Sequence, residues 1–310
     1  MDPVPPIVTQ DLAKRYRHSL ALDGVSLTLE PGEVFGYLGP NGAGKTTTIR
    51  LLMGMLRPSS GRAVVCGLDA WSEARDVHRV VGYVPGEPSV YTRLTGAQHI
   101  DYICHLRGRK DHARAVQVAE RLSLDLTRRA GVLSRGNRQK LALVLAVMSR
   151  PALLILDEPT SGLDPLVQHE VHSLLREHAQ DGGSVFLSSH VLGEVQRVAT
   201  RIGVLRQGKL IAVERLDELS ARSLHRVRAT FATPVSVEDF AGISGVTNLV
   251  AIGERMRCEA PQSALDALLK RISAHPVVDF ECAESDLEDM FMTYYGGDHD
   301  AEHRVHEVAV

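Results

Sequence analysis

Residues 39–46 read Gly39-Pro40-Asn41-Gly42-Ala43-Gly44-Lys45-Thr46 and fit the pattern G-x-x-x-x-G-K-[ST]. Glycines in this pattern let successive backbone N–H groups point at phosphate oxygens, the lysine adds positive charge, and the threonine hydroxyl suits Mg²⁺. The apolar run 33–38 predicts a strand before the loop, and the pattern of 45–55 predicts a helix after it. The N-terminus of that helix also favours an anion. We therefore predict a nucleotide phosphate site at this loop.

The composition is that of an ordinary globular protein. Hydrophobic residues make up 44% of the 310 residues and charged residues 24%. The formal net charge of −3 argues against a protein that holds nucleic acid by general electrostatics, so we expect no nucleic-acid partner. No pair of cysteines has a metal-binding spacing, and we expect reduced thiols at Cys66, Cys104, Cys258 and Cys282.

No segment of the sequence predicts a membrane span. The longest purely apolar stretches, 141–148 and 152–156, are far shorter than the roughly 20 residues that a spanning helix needs. The first residues, MDPVPPIV, lack the basic and apolar regions of a secretory signal. We therefore expect any association with a membrane to go through a partner.

Strands and helices alternate over most of the chain. Short apolar runs predict strands at 25–29, 33–38, 153–156, 184–188 and 202–205. Apolar residues at helical spacing predict helices at 45–55, 92–124, 166–179 and 192–199. The stretch from 92 to 124 begins with Thr95 and Gln98 as a capping box and is interpreted as a helical insert. This alternation predicts an α/β core with a parallel sheet.

The pattern changes after about residue 220. It predicts strands at 227–231, 246–252, 255–259 and 277–282, and helices at 237–241 and 263–273. This β-α-β-β-α-β order is compatible with a small ferredoxin-like α+β domain. An amphipathic helix at 287–295, ended by Gly296 and Gly297, is expected to pack in the ordinary way, and residues 297–310 are expected to be disordered.

A second group of residues bears on the chemistry. The buried apolar run 153–156 ends in two adjacent carboxylates, with Asp157 placed to hold Mg²⁺ and Glu158 placed to orient and deprotonate water. Ser161-Gly162-Leu163-Asp164 follows, and His190 comes directly after the next predicted strand. A strand followed by a solvated acidic turn would explain the two carboxylates, but it would not explain why residues 161–164 and His190 follow them. The set therefore favours an enzyme that transfers a phosphoryl group.

These motifs together resemble those of the ATP-binding subunits of ABC transporters, over residues 7 to about 214. GPNGAGKTT is similar to the family's Walker A motif, LLILDEPTSGLD to its Walker B motif and D-loop, and SSH to its switch histidine. LSRGNRQ, residues 133–139, is similar to the family signature LSGGQ. Arg135 and Asn137 depart from that signature, whereas Ser134 and Gly136 keep it.

The resemblance implies a P-loop NTPase core with a β-subdomain and a helical insert at about 92–145. It assigns residues 7–216 to this ATPase domain and 220–296 to a small accessory domain. It also implies a head-to-tail dimer with a second ATPase subunit, in which signature residues of one subunit face the γ-phosphate that the other holds. A transmembrane permease is the further partner implied. The chain would then lie at the cytoplasmic face of the membrane.

The resemblance also implies a role for each site residue. The residues expected to bind ATP are Tyr16, Gly39, Pro40, Asn41, Gly42, Ala43, Gly44, Lys45, Thr46 and Thr47. Thr46 and Asp157 would hold Mg²⁺, Glu158 would be the general base, and His190 would bridge the γ-phosphate and the partner's D-loop at Asp164. The signature residues acting on the other subunit's nucleotide are Ser134, Arg135, Gly136 and Asn137.

Gly86 is a departure from the family. In Val84-Pro85-Gly86-Glu87 the family normally has a glutamine where Gly86 stands. That glutamine helps to ligate Mg²⁺ and lies against the permease. Glycine brings no side chain to this position, and neighbouring side chains point in different directions, so Glu87 is not expected to replace it.

Three functions are compatible with the motifs. The ending LEDMFMTYYG resembles subunits of bacterial drug, antibiotic and lipid exporters, which favours the energising subunit of an exporter. A soluble ABC-type ATPase acting on ribosomes or DNA is the first alternative, although such proteins typically carry two cassettes, a long coiled-coil insert or a basic segment. The second alternative, suggested by Gly86, is a weakly hydrolysing regulatory subunit of an asymmetric transporter.

Overall fold

A computed structural model describes residues 4–17, 19–222 and 224–284. The chain divides into two compact units, Met1–Arg215 and Leu216–Val310. Over the part of the chain that is described, no helix is both long and apolar enough to cross a membrane.

The first unit contains ten strands and seven helices in the described residues. The strands are β1 Ile7–Tyr16, β2 Ser19–Leu29, β3 Val34–Leu38, β4 Ser60–Val65, β5 Leu68–Asp69, β6 Val81–Val84, β7 Leu153–Asp157, β8 Ser184–Ser189, β9 Arg201–Arg206 and β10 Lys209–Arg215. The helices are α1 Lys45–Leu52, α2 Ala74–Val80, α3 Gly96–Arg107, α4 His112–Arg121, α5 Arg135–Val147, α6 Pro165–Gln180 and α7 Leu192–Gln196, with one 3₁₀ turn at Ala130–Val132.

The central sheet positions the site. Its six strands lie in the order β10-β9-β3-β8-β7-β6, and all pairs are parallel except β9 with β10. Every residue of β3, β7 and β8 is buried, as expected for strands with both faces covered. The predicted α/β core with a parallel sheet is confirmed. Because the carboxyl ends of parallel strands meet at one edge, the segments that follow these three strands come together there.

A second, antiparallel sheet of the first unit has the order β2-β1-β4-β5. The sequence pattern placed a strand only at 25–29, within β2, and missed β1, β4 and β5. Register shifts interrupt the pairing of β1 with β2 and β4, and Asp11 has a left-handed backbone with φ 46°. These irregularities break the alternation of apolar and polar residues by which a strand is recognised.

The helical insert consists of separate helices. The predicted capping box is confirmed, because Thr95 Oγ1 accepts from the N–H of Gln98 at 3.2 Å and the Gln98 side chain accepts from the N–H of Thr95 at 2.8 Å. The helical pattern predicted over 92–124 corresponds to two helices, α3 and α4. Gly108 ends α3 in a left-handed conformation with φ 62°, so the chain turns before α4 begins.

Arg121 joins α4 of the insert to α6 of the core. Its guanidinium donates to both carboxylate oxygens of Glu177, at 2.7 and 2.6 Å, and to the carboxylate of Glu170. The side chain of Arg121 is 29% exposed, so water screens these bonds only partly. The hydrogen bonds from Arg121 hold the pKa of Glu177 below its usual value. This network fixes one helix of the insert against the core.

Replacing Arg121 by methionine should lower the free energy of unfolding by about 1 kcal/mol and the melting temperature by about 2–4 °C at neutral pH. Because the pKa of Glu177 is depressed in the folded state, this stabilisation exists at neutral pH and disappears as acid protonates Glu177. The matched control is Arg79→Met, which removes an exposed ion pair with Asp76 and should change little. Equal melting temperatures for R121M and R79M at pH 7 would show that the network contributes nothing.

The second unit contains α8 Leu216–Arg222, β11 Leu224–Phe231, β12 Thr247–Ile252, β13 Arg255–Pro261, α9 Gln262–Ile272 and β14 Val277–Glu284. Its sheet is antiparallel in the order β12-β13-β11-β14, the strand order of a ferredoxin-like fold. The predicted helix at 237–241 is only a 3₁₀ turn, Val237–Asp239. Consequently α9 is the main helix on the core side of the sheet, where its Leu268 and Ile272 pack with Phe231. The expected helix at 287–295 and the tail 297–310 lie outside the described residues.

Candidate active site

The glycine loop lies between β3 and α1, as the sequence predicts. Gly44 precedes the helix with φ 114°, and a Cβ there would lie 2.6 Å from the carbonyl oxygen of Ala21, so only glycine fits. Lys45 is the first residue of α1 and is 6% exposed. Its Nζ donates to the carbonyl oxygens of Gly39 at 2.5 Å and Pro40 at 3.3 Å. The loop therefore folds around the ammonium group of the lysine.

Thr46 and Asp157 meet at the edge of the sheet. The Thr46 hydroxyl donates to Asp157 Oδ2 at 2.8 Å, and the Ser188 hydroxyl donates to Asp157 Oδ1 at 2.6 Å. Asp157 is 3% exposed, so its charge is compensated by these bonds rather than by water. A hydroxyl and a carboxylate are hard oxygen donors of the kind that Mg²⁺ prefers. The donor set thus fits the metal that the sequence predicts here.

Glu158 lies at the centre of the site. Its Oε1 is 3.3 Å from Lys45 Nζ, and its Oε2 is 2.8 Å from Nδ1 of His190. The Glu158 side chain is 19% exposed, whereas that of His190 is 50% exposed. The backbone N–H of Glu158 donates to the carbonyl oxygen of Ser188, and its φ is 51°, in the left-handed region. Lys45, Asp157, Glu158 and His190 are therefore brought together from three segments of the chain, namely the start of α1 and the ends of β7 and β8.

Tyr83, on β6, is a further titratable residue near Asp157. Burial and then the negative charge of Asp157 raise the pKa of Tyr83 above its usual value. The phenol therefore stays neutral near the carboxylate at physiological pH.

The signature residues form the start of α5. Ser134 caps this helix, because its hydroxyl accepts from the N–H of Asn137 at 3.2 Å. Arg135, Gly136 and Asn137 make the first turn, and Asp164 caps α6 in the same way by accepting from the N–H of Val167 at 3.0 Å. In the described ranges no hydrogen bond joins the Ser134 turn to loop 39–46. The action of the signature residues on another subunit's nucleotide stays a prediction.

Tyr16 ends β1 and is 41% exposed. The Nζ of Lys14 lies 5.2 Å from the centre of its ring, a distance at which a cation is attracted to an aromatic face. An exposed ring of this kind can receive a base by stacking, and that role also stays a prediction.

Three side chains that support the site, Ser188, Gln139 and Glu194, make contacts that were not predicted. Ser188 holds Asp157, and the amide of Gln139 in α5 donates to the carbonyl oxygen of Pro159 at 3.1 Å. Glu194 Oε2 accepts from the hydroxyls of Thr160 at 2.7 Å and Ser189 at 3.2 Å, and so connects the segments after β7 and β8. Two serines at the end of a buried strand were a usable signal for Ser188. Nothing in the local pattern distinguishes Glu194 from a surface glutamate of a short helix.

Comparison with known proteins places these features in a family. A family model described as "ABC transporter" matches residues 22–161. The bacitracin transport ATP-binding protein BcrA of Bacillus licheniformis is 33% identical, over 70% of this chain and 72% of its own length. The daunorubicin resistance ATP-binding protein DrrA2 of Streptomyces coeruleorubidus is 40% identical, over 67% of this chain and 66% of its own length.

A longer alignment exists with a much larger protein. ATP-binding cassette sub-family A member 7 of Rattus norvegicus is 34% identical over 93% of this chain, but the chain spans only 14% of the length of that relative. Among solved structures, an ATP-binding subunit of an ABC transporter is similar at a TM-score of 0.66 and 28% identity, over 70% of this chain and 92% of that one. A dimeric cassette in a post-hydrolysis state with ADP and Pi, at a TM-score of 0.63 and 21% identity, shares the fold.

Proposed function

Since the chain belongs to the ABC transporter family of ATP-binding proteins, we propose that it binds ATP with Mg²⁺ and hydrolyses it to energise export through a separate transmembrane permease. One observation carries the proposal: Lys45, Asp157, Glu158 and His190 converge beside the glycine loop at the carboxyl edge of the central sheet. This is the arrangement that phosphoryl transfer needs, with positive charge, metal ligands and a base within one site.

The proposed chemistry assigns one task to each group. The loop N–H groups and Lys45 neutralise the phosphates, and Thr46 and Asp157 hold Mg²⁺, which supplies further positive charge to the phosphates when bound. Glu158 orients the attacking water and accepts its proton at the carboxylate. The bond between His190 and Glu158 Oε2 keeps the histidine beside that carboxylate, next to the expected position of the γ-phosphate.

The partners are part of the proposal. The names of the bacterial relatives concern bacitracin transport and daunorubicin resistance, which supports export of a drug-like or lipid-like substrate. A second ATPase subunit would supply the Ser134 turn to each nucleotide, and Asp164 would lie at that junction. The chain would act at the cytoplasmic face of the membrane, held there by the permease.

Sedimentation tests the proposed permease partner. The full chain should sediment with membranes only when its permease is co-expressed, and it should stay in the supernatant when expressed alone. Identical sedimentation in the two cases would count against a transport subunit and would favour the ribosome- or DNA-linked alternative.

Gly86 favours the weakly hydrolysing alternative and gives a direct test of it. A Cβ added at Gly86 would lie 3.4 Å from Asp157 Oδ2, an ordinary contact, so a glutamine fits and its amide can reach the carboxylate edge of the site. We expect Gly86→Gln to raise ATP turnover by about threefold or more, because a single well-placed hydrogen bond is worth about 1 kcal/mol. Turnover is measured as phosphate release in the assembled transporter.

The control for this substitution is Gly86→Ala, which adds a Cβ but no amide. If G86A raises turnover as much as G86Q, backbone stiffening rather than the amide is responsible. An unchanged rate in G86Q would remove the reason to regard the site as impaired.

A further inference from the structure

The site depends on two segments that leave the central sheet side by side. The pairing of β7 with β8 ends at Asp157 and Ser188, so Glu158 and His190 lie just beyond the last paired residues. One further backbone bond, from the N–H of Glu158 to the carbonyl oxygen of Ser188, continues the pairing at 3.2 Å. Beyond this bond the two segments leave the sheet. The contact of 2.8 Å between the side chains of Glu158 and His190 therefore needs support from outside the strands.

Glu194, in the short helix α7, contacts both segments. Its Oε2 accepts from the hydroxyl of Thr160, two residues after Glu158, at 2.7 Å. The same oxygen accepts from the hydroxyl of Ser189, the residue before His190, at 3.2 Å. Thr160 and Ser189 are both buried. Because hydrogen bonds to a charged acceptor are stronger than bonds between neutral groups, this one oxygen joins the two segments firmly.

Ser189 fixes the backbone on both sides of His190. The N–H of Val191 donates to Ser189 Oγ at 3.0 Å, which closes a short turn around the histidine. The carbonyl oxygen of Ser189 accepts from the N–H of Gly39, the first residue of the glycine loop, at 3.3 Å. The hydroxyl hydrogen can reach Glu194 Oε2 at 3.2 Å or the carbonyl oxygen of Val191 at 3.3 Å, and the charged oxygen is the stronger acceptor. Glu194 thus holds the residue from which His190 extends.

Thr160 lies in the turn between Glu158 and Asp164. The N–H of Ser161 donates to the carbonyl oxygen of Glu158 at 3.1 Å, and the N–H of Leu163 donates to that of Thr160 at 3.1 Å. Glu158 itself has a left-handed backbone, so the chain changes direction sharply at this residue. A fixed Thr160 hydroxyl therefore sets the path by which the chain leaves Glu158.

We propose that Glu194 is a positioning residue for ATP hydrolysis, which keeps His190 against Glu158 by joining the segments after β7 and β8. The inference rests on the proposed function and deepens it, because Glu194 acts on the nucleotide only through these two residues. The simpler role for Glu194 is to place a negative charge in the first turn of α7. That role is independent of where the carboxylate points, whereas the observed carboxylate directs Oε2 at both hydroxyls.

Phosphate release by the assembled transporter tests the proposal. Glu194→Ala should lower turnover about tenfold, because both hydrogen bonds are lost, whereas the Kd for ATP should stay within about twofold of the wild type. Glu194→Gln keeps an oxygen that can accept from both hydroxyls, so its turnover should stay within about threefold of the wild type. A role in the charge of α7 alone would impair the two variants equally, since each removes the same charge.

Thr160 gives a second test that leaves Glu194 in place. Thr160→Val keeps the shape of the side chain but removes its hydroxyl, and it should lower turnover about threefold or more. Thr160→Ser keeps the hydroxyl and should retain most of the turnover. This pair carries the comparison if E194A does not fold.

The matched control is Glu33→Gln, at the amino end of β3. The Glu33 carboxylate is also buried, and its Oε1 lies 3.1 Å from Nη1 of Arg201. This substitution should lower the melting temperature, because it weakens a buried ion pair, but it should leave turnover unchanged below that temperature. An equal loss of turnover in E33Q and E194A would mean that destabilisation alone is responsible.

The ring of His190 gives a readout that does not need ATP hydrolysis. A carboxylate only accepts hydrogen bonds, so the contact with Glu158 Oε2 requires the hydrogen of the neutral ring to be on Nδ1. Nitrogen NMR of the full chain with isotope-labelled histidines, at alkaline pH, should show this tautomer for the signal that disappears in His190→Gln. In E194A the signal should shift toward a mixture of the two tautomers.

Four results would overturn the proposal. They are wild-type turnover in E194A, equal turnover in E194A and E194Q, equal turnover in T160V and T160S, and an unchanged His190 signal in E194A. Absence of turnover in the wild-type transporter would instead contradict the proposed function. In that case the His190 signal would still show whether Glu194 positions the histidine, so the two failures are distinguishable.

Discussion

Replacing Glu158 by glutamine should lower ATP turnover by about 10²–10⁴-fold, the usual contribution of a positioned general base. Glutamine keeps the shape of the side chain and its contact with His190, but it cannot accept the proton of the attacking water. Nucleotide affinity should be retained or increased, because the substitution removes the ion pair in which Glu158 Oε1 lies 3.3 Å from Lys45 Nζ. Single-turnover phosphate release and a separate binding titration distinguish the two effects.

The control for this variant is Glu120→Gln, an exposed carboxylate on α4 that lies outside the site. Its turnover should equal that of the wild type. Wild-type turnover in E158Q, measured in the assembled transporter, would mean that another group accepts the proton.

Replacing Lys45 by alanine should weaken ATP binding by about 100-fold or more, because hydrogen bonds to a charged group are worth about 1.5–3 kcal/mol each. In the folded protein the ammonium group already lies among the carbonyl oxygens of Gly39 and Pro40 and the carboxylate of Glu158. A bound triphosphate would take the place of that carboxylate as its counter-charge. Isothermal titration calorimetry with ATP and Mg²⁺ measures the change in Kd.

Lys110→Ala, in the exposed turn between α3 and α4, is the control for the loss of a positive charge. Its Kd should stay within about twofold of the wild type. If K45A is folded, as judged by its melting curve, and binds ATP with unchanged affinity, the glycine loop is not the triphosphate site.

The sequence predicts those residues of the site whose positions are set by local conformation. The Lys45 loop and Glu158 follow buried strands whose apolar runs are readable, and α1 begins at Lys45, where the pattern predicts it. Glu194 could not be predicted, because its role depends on contacts with Thr160 and Ser189 that only the folded chain creates. Positions brought together by folding leave no periodic signal in the sequence.

The difference between local conformation and contacts made on folding also explains where the predicted secondary structure is wrong. The helical pattern predicted over 92–124 continues through Gly108, whereas the left-handed backbone of this glycine ends α3. The sequence pattern does not predict β1, because register shifts disturb its period of two. It predicts a helix at the 3₁₀ turn Val237–Asp239, because a few residues fit either structure. Irregular backbone is set by neighbouring strands and turns, and propensity alone does not contain that information.

The left-handed backbone of Glu158, with φ 51°, has a consequence for how this protein tolerates change. For a residue with a Cβ this conformation costs about 1–2 kcal/mol, a penalty that glycine does not incur. A glycine at position 158 would therefore relax the backbone while it removes the proton acceptor. The backbone conformation therefore favours glycine at this position, whereas turnover and the ion pair with Lys45 favour glutamate. Selection for activity would have to maintain a strained residue there.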